Sequence, residues 1–183
     1  ATSACGTDHA DLSRRSIVLD ISCGRSQEIL SALAAFNDKC ANEPTRGYTH
    51  LQPAQRTTVG KRATLWMQDL VLDYQDLEHR RRTLPFRGVK GTTGTQASFL
   101  SIFSGDHAKV RALDSLVTSR QGFTSALAVT GQTYTRKLDA AVLGVVSGIA
   151  ASAAKFSGDI RMLQSFGEVE EPFESEQIGS SAM

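Results

Sequence analysis

Residues 45–55 have the sequence TRGYTHLQPAQ, a polar stretch with a single histidine, His50, between two long helical patterns. Gly47 tolerates a positive φ angle and Pro53 suits the first turn of a helix, so we expect a helix end, an exposed loop and a new helix start. Loops held between rigid helices often carry reactive side chains. His50 is therefore the first candidate for chemistry, and a capping or packing histidine is the alternative interpretation.

The pattern before this stretch predicts one long helix from Leu12 to about Ala41. Its apolar residues recur mostly at three-, four- or seven-residue spacing or multiples of it, giving the stripe Ile17, Ile21, Leu30, Leu33 and Phe36. The first ten residues are small and polar, which predicts a loop with Asp8 or Asp11 as the helix cap.

The pattern after this stretch predicts a second helix from about Pro53 to Leu84, stopped by Pro85. Its apolar stripe consists of Val59, Ala63, Trp66, Leu70, Tyr74 and Leu77. Residues 86–95 contain three glycines and three threonines, so we expect a loop rich in hydrogen-bonding groups. A shorter helix is predicted from Asp106 to about Arg120.

The last helical pattern runs from about Thr133 to Ser165 and steps by four and three residues throughout. Its stripe consists of Leu138, Val142, Val145, Ile149, Ala153, Phe156, Ile160 and Leu163. Helices of some thirty residues are about 45 Å long, more than a compact chain of this size would bury by itself. We therefore expect helices to pack across subunits.

Composition and charge restrict the function classes. The 183 residues carry a net charge of +1, which gives no global field for nucleic acid or an anionic membrane. No signal peptide or apolar run of membrane-spanning length is apparent, so we expect a cytoplasmic protein. The three cysteines, Cys5, Cys23 and Cys40, are expected to be reduced thiols, and no metal-ligand spacing is present.

Several longer motifs resemble the fumarase, aspartase and argininosuccinate lyase superfamily and, within it, the eukaryotic type of the adenylosuccinate lyase family. They are ATS at 1–3, GYTHLQPAQ at 47–55, TTVGKR at 57–62, FRGVKGTTGTQASFL at 86–100, TGQTY at 130–134, and EEPFE with QIGSSAM at 170–183. The resemblance implies an all-α long-helix bundle that assembles into a multi-subunit helical core. Residues 1–183 would be its central helical domain, without the family's N- and C-terminal domains.

The resemblance also implies an activity, the β-elimination of fumarate from adenylosuccinate and from the succinylated carboxamide intermediate of purine biosynthesis. His50 would be the general acid, because the ordinary pKa of an imidazole, about 6.5, lies near working pH. Ser180 would be the base, with its alkoxide stabilised by its loop or by a cation. In the family that cation is a lysine beyond Met183, so the isolated chain is expected to be inactive.

The substrate-binding residues implied by the resemblance offer hydrogen-bonding groups for carboxylate and base recognition; they are Thr2, Ser3, Thr49, Gln132 and Ser181, with Lys90 added because it lies beside the threonine-rich loop. His9 stands where the family pattern leads us to expect asparagine. The family implies no metal or other cofactor. The expected assembly is a homotetramer with active sites shared between subunits, and neither nucleic acid nor a membrane is an expected partner.

Other hypotheses remain open at this point. The chain could be a non-catalytic helical assembly module, or another fumarate-releasing lyase of the superfamily. Arginines 80–82 with Arg87 and Lys90 suggest a solvated helix end, with phosphate or nucleic-acid binding as the alternative. We interpret His9, His79 and His107 as exposed or capping residues, and the acidic run from Glu168 to Glu176 as a solvated helix face or hinge.

Overall fold

The computed structural model describes residues 3–170 of the chain. Within that range it contains five helices and one β-hairpin, in the order α1 (Ser3–Lys39), β1 (Pro44–Thr49), β2 (Gln52–Thr58), α2 (Val59–Thr83), α3 (Ala97–Ile102), α4 (His107–Arg120) and α5 (Lys137–Ser165). The predicted all-α long-helix bundle is confirmed, with this small hairpin as an addition.

The hairpin replaces the predicted loop and the predicted first turn of the second helix. β1 and β2 pair antiparallel, with Thr49 opposite Gln52. α2 therefore begins at Val59 instead of Pro53, because residues 52–58 satisfy their backbone groups in the strand pair. The Thr58 side chain accepts a hydrogen bond from Lys61 N at 3.0 Å and caps the helix. Gly47 has no positive φ but lies at an irregularity in the strand register between Arg46 and Tyr48.

The predicted N-terminal loop is wrong from Ser3 onward, where α1 already begins. Asp8 is not a helix cap but is buried, and its carboxylate accepts hydrogen bonds from Tyr134 N and Arg136 Nη2. A buried carboxylate with two donors anchors this first part of the helix to the distant segment around residue 134. Polar composition alone was therefore misleading, because the polar residue is used for a tertiary contact.

α1 and α2 lie side by side and antiparallel, and α5 packs along α2 and also contacts the first part of α1, where Arg15 pairs with Asp139. The contacts show the directions: Tyr74 bonds to Gln27, whereas Arg81 bonds to Asp20 nearer the start of α1. The main core consists of Leu12, Leu19, Cys23, Leu77, Leu84, Phe86, Phe123, Tyr134 and Val142. A second core of Ala63, Trp66 and Leu163 lies near the hairpin.

This arrangement gives the bundle two ends. We call the end formed by residues 40–62 and 159–170 the hairpin end, and the end formed by residues 3–15, 84–95 and 123–137 the loop end. α1 has 37 residues, so these ends are separated by about 55 Å along its axis.

Most of the predicted helix ends agree with the structure, whereas the start of α5 differs. α2 ends at Thr83 before Pro85, and Asp106 caps α4, both as expected. α5 ends at Ser165 as predicted but begins four residues later, at Lys137. The short helix α3 was not predicted. The three cysteines, all within the described residues, form no disulfide bond, as expected for reduced thiols.

The stripe predicted for α1 is wrong within a single chain, because Ile17 and Ile21 are 57% and 59% exposed. The residues that α1 contributes to the main core are instead Leu12, Leu19 and Cys23. Ile17 and Ile21 form an apolar face without a partner among the described residues of this chain. Periodicity alone did not distinguish this face from the one that packs on α2, since both are apolar.

Helix α5 is long and apolar enough to cross a membrane by length and composition alone, and little of it is buried. It nevertheless carries polar contacts along its packed side: the Trp66 indole donates to Asp159 Oδ2 at 2.8 Å, and Lys155 pairs with Asp69. Trp66 also packs edge-on against Phe156, with ring centroids 4.9 Å apart. These contacts match a bundle helix with one packed and one open face.

Candidate active site

His50 lies at the tip of the hairpin, where the two-residue turn connects β1 to β2. Both turn residues have positive φ angles, 50° at His50 and 61° at Leu51. Turns of this kind usually contain Asn-Gly, and a residue with a Cβ atom costs roughly 1 kcal/mol or more in this conformation. The imidazole and Thr49 are exposed. Strained backbone of this kind is often found at functional sites, so the exposed His50 stays a candidate for chemistry.

A group of polar contacts fastens this hairpin to the end of α5. The Glu168 carboxylate accepts hydrogen bonds from Thr45 Oγ1 at 2.6 Å, Tyr48 Oη at 2.7 Å and Arg46 Nε at 3.0 Å. The Thr45 and Tyr48 hydrogen bonds, in that order, lower the pKa of Glu168 to about 2, with a smaller contribution from Arg46. Glu168 is therefore part of a tertiary contact, and the interpretation of this part of the acidic run as a solvated face is wrong.

An open cleft of about 520 Å³ lies beside the hairpin, between the start of α2 and the end of α5. Apolar side chains line most of it, and Lys61, Arg62 and Asp159 add charged groups. The Arg62 guanidinium donates to Arg46 O at 2.6 Å, which fixes it against β1. Among its lining residues are Tyr48 and Leu51, which lie on either side of His50 in the hairpin.

Lys90 is buried at the loop end, where its ammonium group is fully engaged. It donates to Leu127 O at 2.7 Å and Arg87 O at 3.3 Å, and lies 3.7 Å from an Asp114 carboxylate oxygen. Binding of a substrate by Lys90 would require some of these contacts to be replaced. Within this chain its ammonium joins the glycine-rich loop to the segment that precedes Gln132.

Arg87 is also fully buried, contrary to its interpretation as part of a solvated helix end, whereas Arg81 and Arg82 are exposed in the last turn of α2, as interpreted. Its guanidinium donates to the carbonyl oxygens of Gly131 at 3.1 Å and Lys90 at 3.2 Å. Gly94 approaches the same segment so closely that a Cβ atom there would lie 1.8 Å from Thr130 O. The glycine-rich loop therefore packs directly against the segment that carries Gln132.

Gln132 lies beside the beginning of α1. Its carbonyl oxygen accepts a hydrogen bond from Cys5 Sγ at 3.5 Å, and the Gln132 residue itself is exposed. Ser3 is the first residue of α1, two positions before Cys5. The structure therefore brings Ser3 and Gln132 to the same end of the bundle as Lys90, and leaves Thr49 and His50 at the other end. Thr2, Ser180 and Ser181 lie outside the described residues.

His9 adds a further contact at the loop end. Its ring stacks on Phe86 with centroids 4.6 Å apart, and Nε2 lies 3.2 Å from Gly88 O. Burial lowers the pKa of His9, and the nearby Arg87 acts in the same direction. The interpretation of His9 as an exposed or capping residue is therefore wrong.

Sequence reasoning did not predict the tertiary contacts of Asp8, Arg87 and Glu168. Each is a charged residue within a polar or basic stretch, and such stretches are usually solvated. The available signal was that Arg87 and Glu168 lie inside or beside the motifs of residues 86–100 and 170–174. Among residues 3–170 there is no group of three His, Cys, Asp or Glu side chains that could hold a metal ion.

A family model described as Lyase matches residues 15–183, and the chain therefore belongs to this lyase family. More particularly, it is 51% identical over all 183 residues to the adenylosuccinate lyase of Schizosaccharomyces pombe. It is 52% identical over the same residues to the adenylosuccinate lyase of Saccharomyces cerevisiae. The chain spans 38% of the length of each of these curated relatives. The resemblance inferred from the motifs is confirmed.

Solved structures support the fold. The fumarate lyase of Mesorhizobium sp. BNC1 superposes with a TM-score of 0.72 at 22% identity, over 92% of this chain and 38% of that one. The 3-carboxy-cis,cis-muconate lactonizing enzyme of Pseudomonas putida gives a TM-score of 0.75, also at 22% identity, over 90% of this chain and 35% of that one. At this identity the two structures establish the fold alone.

Proposed function

We propose that this chain is the central helical domain of a carbon–nitrogen lyase that eliminates fumarate from adenylosuccinate to give AMP. The same activity would act on the succinylated carboxamide intermediate of purine biosynthesis, in the cytoplasm. The observation that carries the proposal is the identity of about half of all residues with the two yeast adenylosuccinate lyases, extending over the whole chain. The match covers all 183 residues and therefore spans the segment around His50.

The proposed chemistry needs a base to remove a proton beside a carboxylate and an acid to protonate the leaving nitrogen. We assign the acid to His50 and the base to Ser180. The exposed turn supports the first assignment, because the His50 imidazole is open to a ligand arriving at the hairpin end. Thr49 and Ser181 would bind the substrate beside these two residues.

The remaining proposed substrate contacts are Thr2, Ser3, Gln132 and Lys90. The separation of about 55 Å between the two ends of α1 supports an active site built from more than one subunit. Twelve residues lead from Glu168 to Ser180, and fully extended they reach at most about 40 Å. We therefore propose a homotetramer in which the loop end of one subunit completes the site at the hairpin end of another.

The test is to incubate the full-length protein with adenylosuccinate and to follow fumarate by ultraviolet absorbance and AMP by chromatography. Argininosuccinate and aspartate are the comparison substrates, because other lyases of this superfamily release fumarate from them. Equimolar fumarate and AMP from adenylosuccinate alone is the expected result. Fumarate from another substrate would indicate a different lyase, and no product from any of them would favour a non-catalytic assembly module.

A further inference from the structure

Glu168 makes an unusual number of contacts for a residue beyond the end of a helix. Its side chain is 10% exposed, and its carboxylate accepts hydrogen bonds from Thr45, Arg46 and Tyr48. All three donors lie on β1, the strand that leads directly to His50. One carboxylate therefore fixes three of the six residues of that strand.

Backbone hydrogen bonds also fix Glu168 to the end of α5. Gly167 has a φ of 67° and donates to Gln164 O at 3.0 Å, and Glu168 N donates to Leu163 O at 2.9 Å. This pair of bonds is the Schellman motif that ends many helices with a glycine in the left-handed region. The carboxylate is thereby directed from a rigid helix end and not from a free segment.

Ring stacking supports the same junction. The Tyr48 ring stacks on Phe166, with centroids 4.7 Å apart and planes 17° apart. Stacking therefore fixes the Tyr48 ring, and the hydrogen bond to Glu168 fixes its hydroxyl. Arg62 from α2 also approaches Thr45 Oγ1, at 3.5 Å. Because the turn at His50 is strained, the direction of its imidazole depends on how firmly β1 is held.

We propose that Glu168 is a positioning residue, whose carboxylate holds β1 against the end of α5 and so sets the direction in which His50 is presented to the substrate. This inference rests on the proposed lyase function. Glu168 does not touch the reacting atoms; it acts through Tyr48, Thr45 and Arg46. A displacement of an acid by about 1 Å can lower a rate by up to about a hundredfold without preventing substrate binding.

The test compares Glu168→Gln with the unmodified full-length protein, using adenylosuccinate as the substrate. Glutamine has the same size but cannot accept three hydrogen bonds at its two terminal groups as a carboxylate does. We expect kcat to fall roughly ten- to a hundredfold while KM changes less than about threefold. Tyr48→Phe should give a smaller fall in kcat, and the double variant should be no worse than Glu168→Gln, because both changes act on the same contact.

Glu43→Gln is the matched control, since Glu43 is an exposed carboxylate at the base of the same hairpin. Each variant is assayed well below its thermal midpoint, so that a loss of folded protein does not imitate a loss of kcat. A Glu168→Gln enzyme with kcat within twofold of the unmodified enzyme would overturn the positioning role. An unmodified protein that releases no fumarate from adenylosuccinate would instead overturn the proposed function, and this inference with it.

Discussion

The Asp8 carboxylate accepts a hydrogen bond from the backbone N–H of Tyr134 at 2.7 Å, across 126 residues of the chain. Its other oxygen accepts from Arg136 Nη2 at 3.0 Å. Tyr134 lies two residues after Gln132, and Asp8 lies five residues after Ser3. This one carboxylate therefore fixes the distance between two segments that carry proposed substrate-binding residues.

We expect Asp8→Ala to lower the free energy of unfolding by about 1–3 kcal/mol, because it leaves the buried Tyr134 N–H without an acceptor. Asp8→Asn keeps one acceptor oxygen and should cost less. The measurement is denaturant unfolding of the full-length protein at a fixed concentration. Asp38→Ala is the control, since Asp38 is exposed on the same helix. Equal losses for Asp8→Ala and Asp38→Ala would contradict the anchoring role.

The turn geometry makes asparagine a better replacement for His50 than alanine in a test of its catalytic role. His50→Ala is expected to lower kcat by about two to four orders of magnitude, the usual range for removing a general acid. His50→Asn should lower it equally while leaving the fold at least as stable, because asparagine tolerates the positive φ angle of this turn. Steady-state kinetics and thermal unfolding check both points. A near-normal kcat in His50→Asn would show that His50 is not the acid.

The open face of α5 offers a test of assembly with two neighbouring residues. Leu143 is 66% exposed, whereas Val142 is buried in the main core. We expect Leu143→Asp to leave each chain folded but to weaken oligomers, whereas Val142→Asp should prevent folding, because an unpaired buried carboxylate costs several kcal/mol. Sedimentation velocity with circular dichroism distinguishes the two outcomes. An unchanged oligomer in Leu143→Asp would exclude this face from the subunit contacts.

Glu168 allows a prediction about pH. Its pKa is lowered from 4.5 to about 2, mainly by hydrogen bonds from Thr45 and Tyr48. A lowered pKa means that the stabilising contribution is complete above pH 4.5 and is lost only as the pH falls toward 2. The difference in thermal midpoint between the unmodified protein and Glu168→Gln should therefore stay constant from pH 7 to pH 4.5 and decrease only at lower pH. A difference already halved at pH 4.5 would mean that the pKa of Glu168 is ordinary.

The long helices could be predicted because their apolar residues repeat with the period of the helix and because Pro85 and Asp106 mark clear ends. The hairpin could not, since the turn residues His50 and Leu51 are not those that favour such a turn. Local rules predicted a loop there, and pairing between the two strands decided otherwise. Local preferences are often overridden at functional sites, so this failure agrees with the role proposed for His50.

Motifs in the sequence indicated the candidate site residues, but not the residues whose contacts hold the surrounding segments in place. His50, Gln132 and Lys90 all lie in stretches that the resemblance covers. The sequence around Asp8 and Glu168 does not differ from that of solvated segments, and only the three-dimensional contacts reveal their partners. The same limit applies to Ile17 and Ile21, whose exposure depends on which of two apolar faces the neighbouring helix covers.

The last prediction concerns how the proposed site is completed. Ser3 and Gln132 lie at the loop end, whereas His50 lies at the hairpin end, and α1, which connects the two ends, has 37 residues and is about 55 Å long. If Ser180 acts with His50 of another subunit, a mixture of His50→Asn and Ser180→Ala proteins should regain activity, because some sites in hybrid oligomers combine an intact copy of each residue.

The experiment starts from the two full-length variants, each nearly inactive alone, and exchanges their subunits under mild denaturant before the assay. In a 1:1 mixture of a tetramer with sites shared in this way, we expect roughly a quarter of the unmodified activity, since one site in four receives both intact residues by random assembly. Mass spectrometry of tagged subunits confirms that exchange occurred, and each variant exchanged with itself is the control. If hybrids form and no activity returns, His50 and Ser180 act from the same chain. The separation of the bundle ends would then divide only the substrate-binding residues, Ser3 and Gln132, from the catalytic pair.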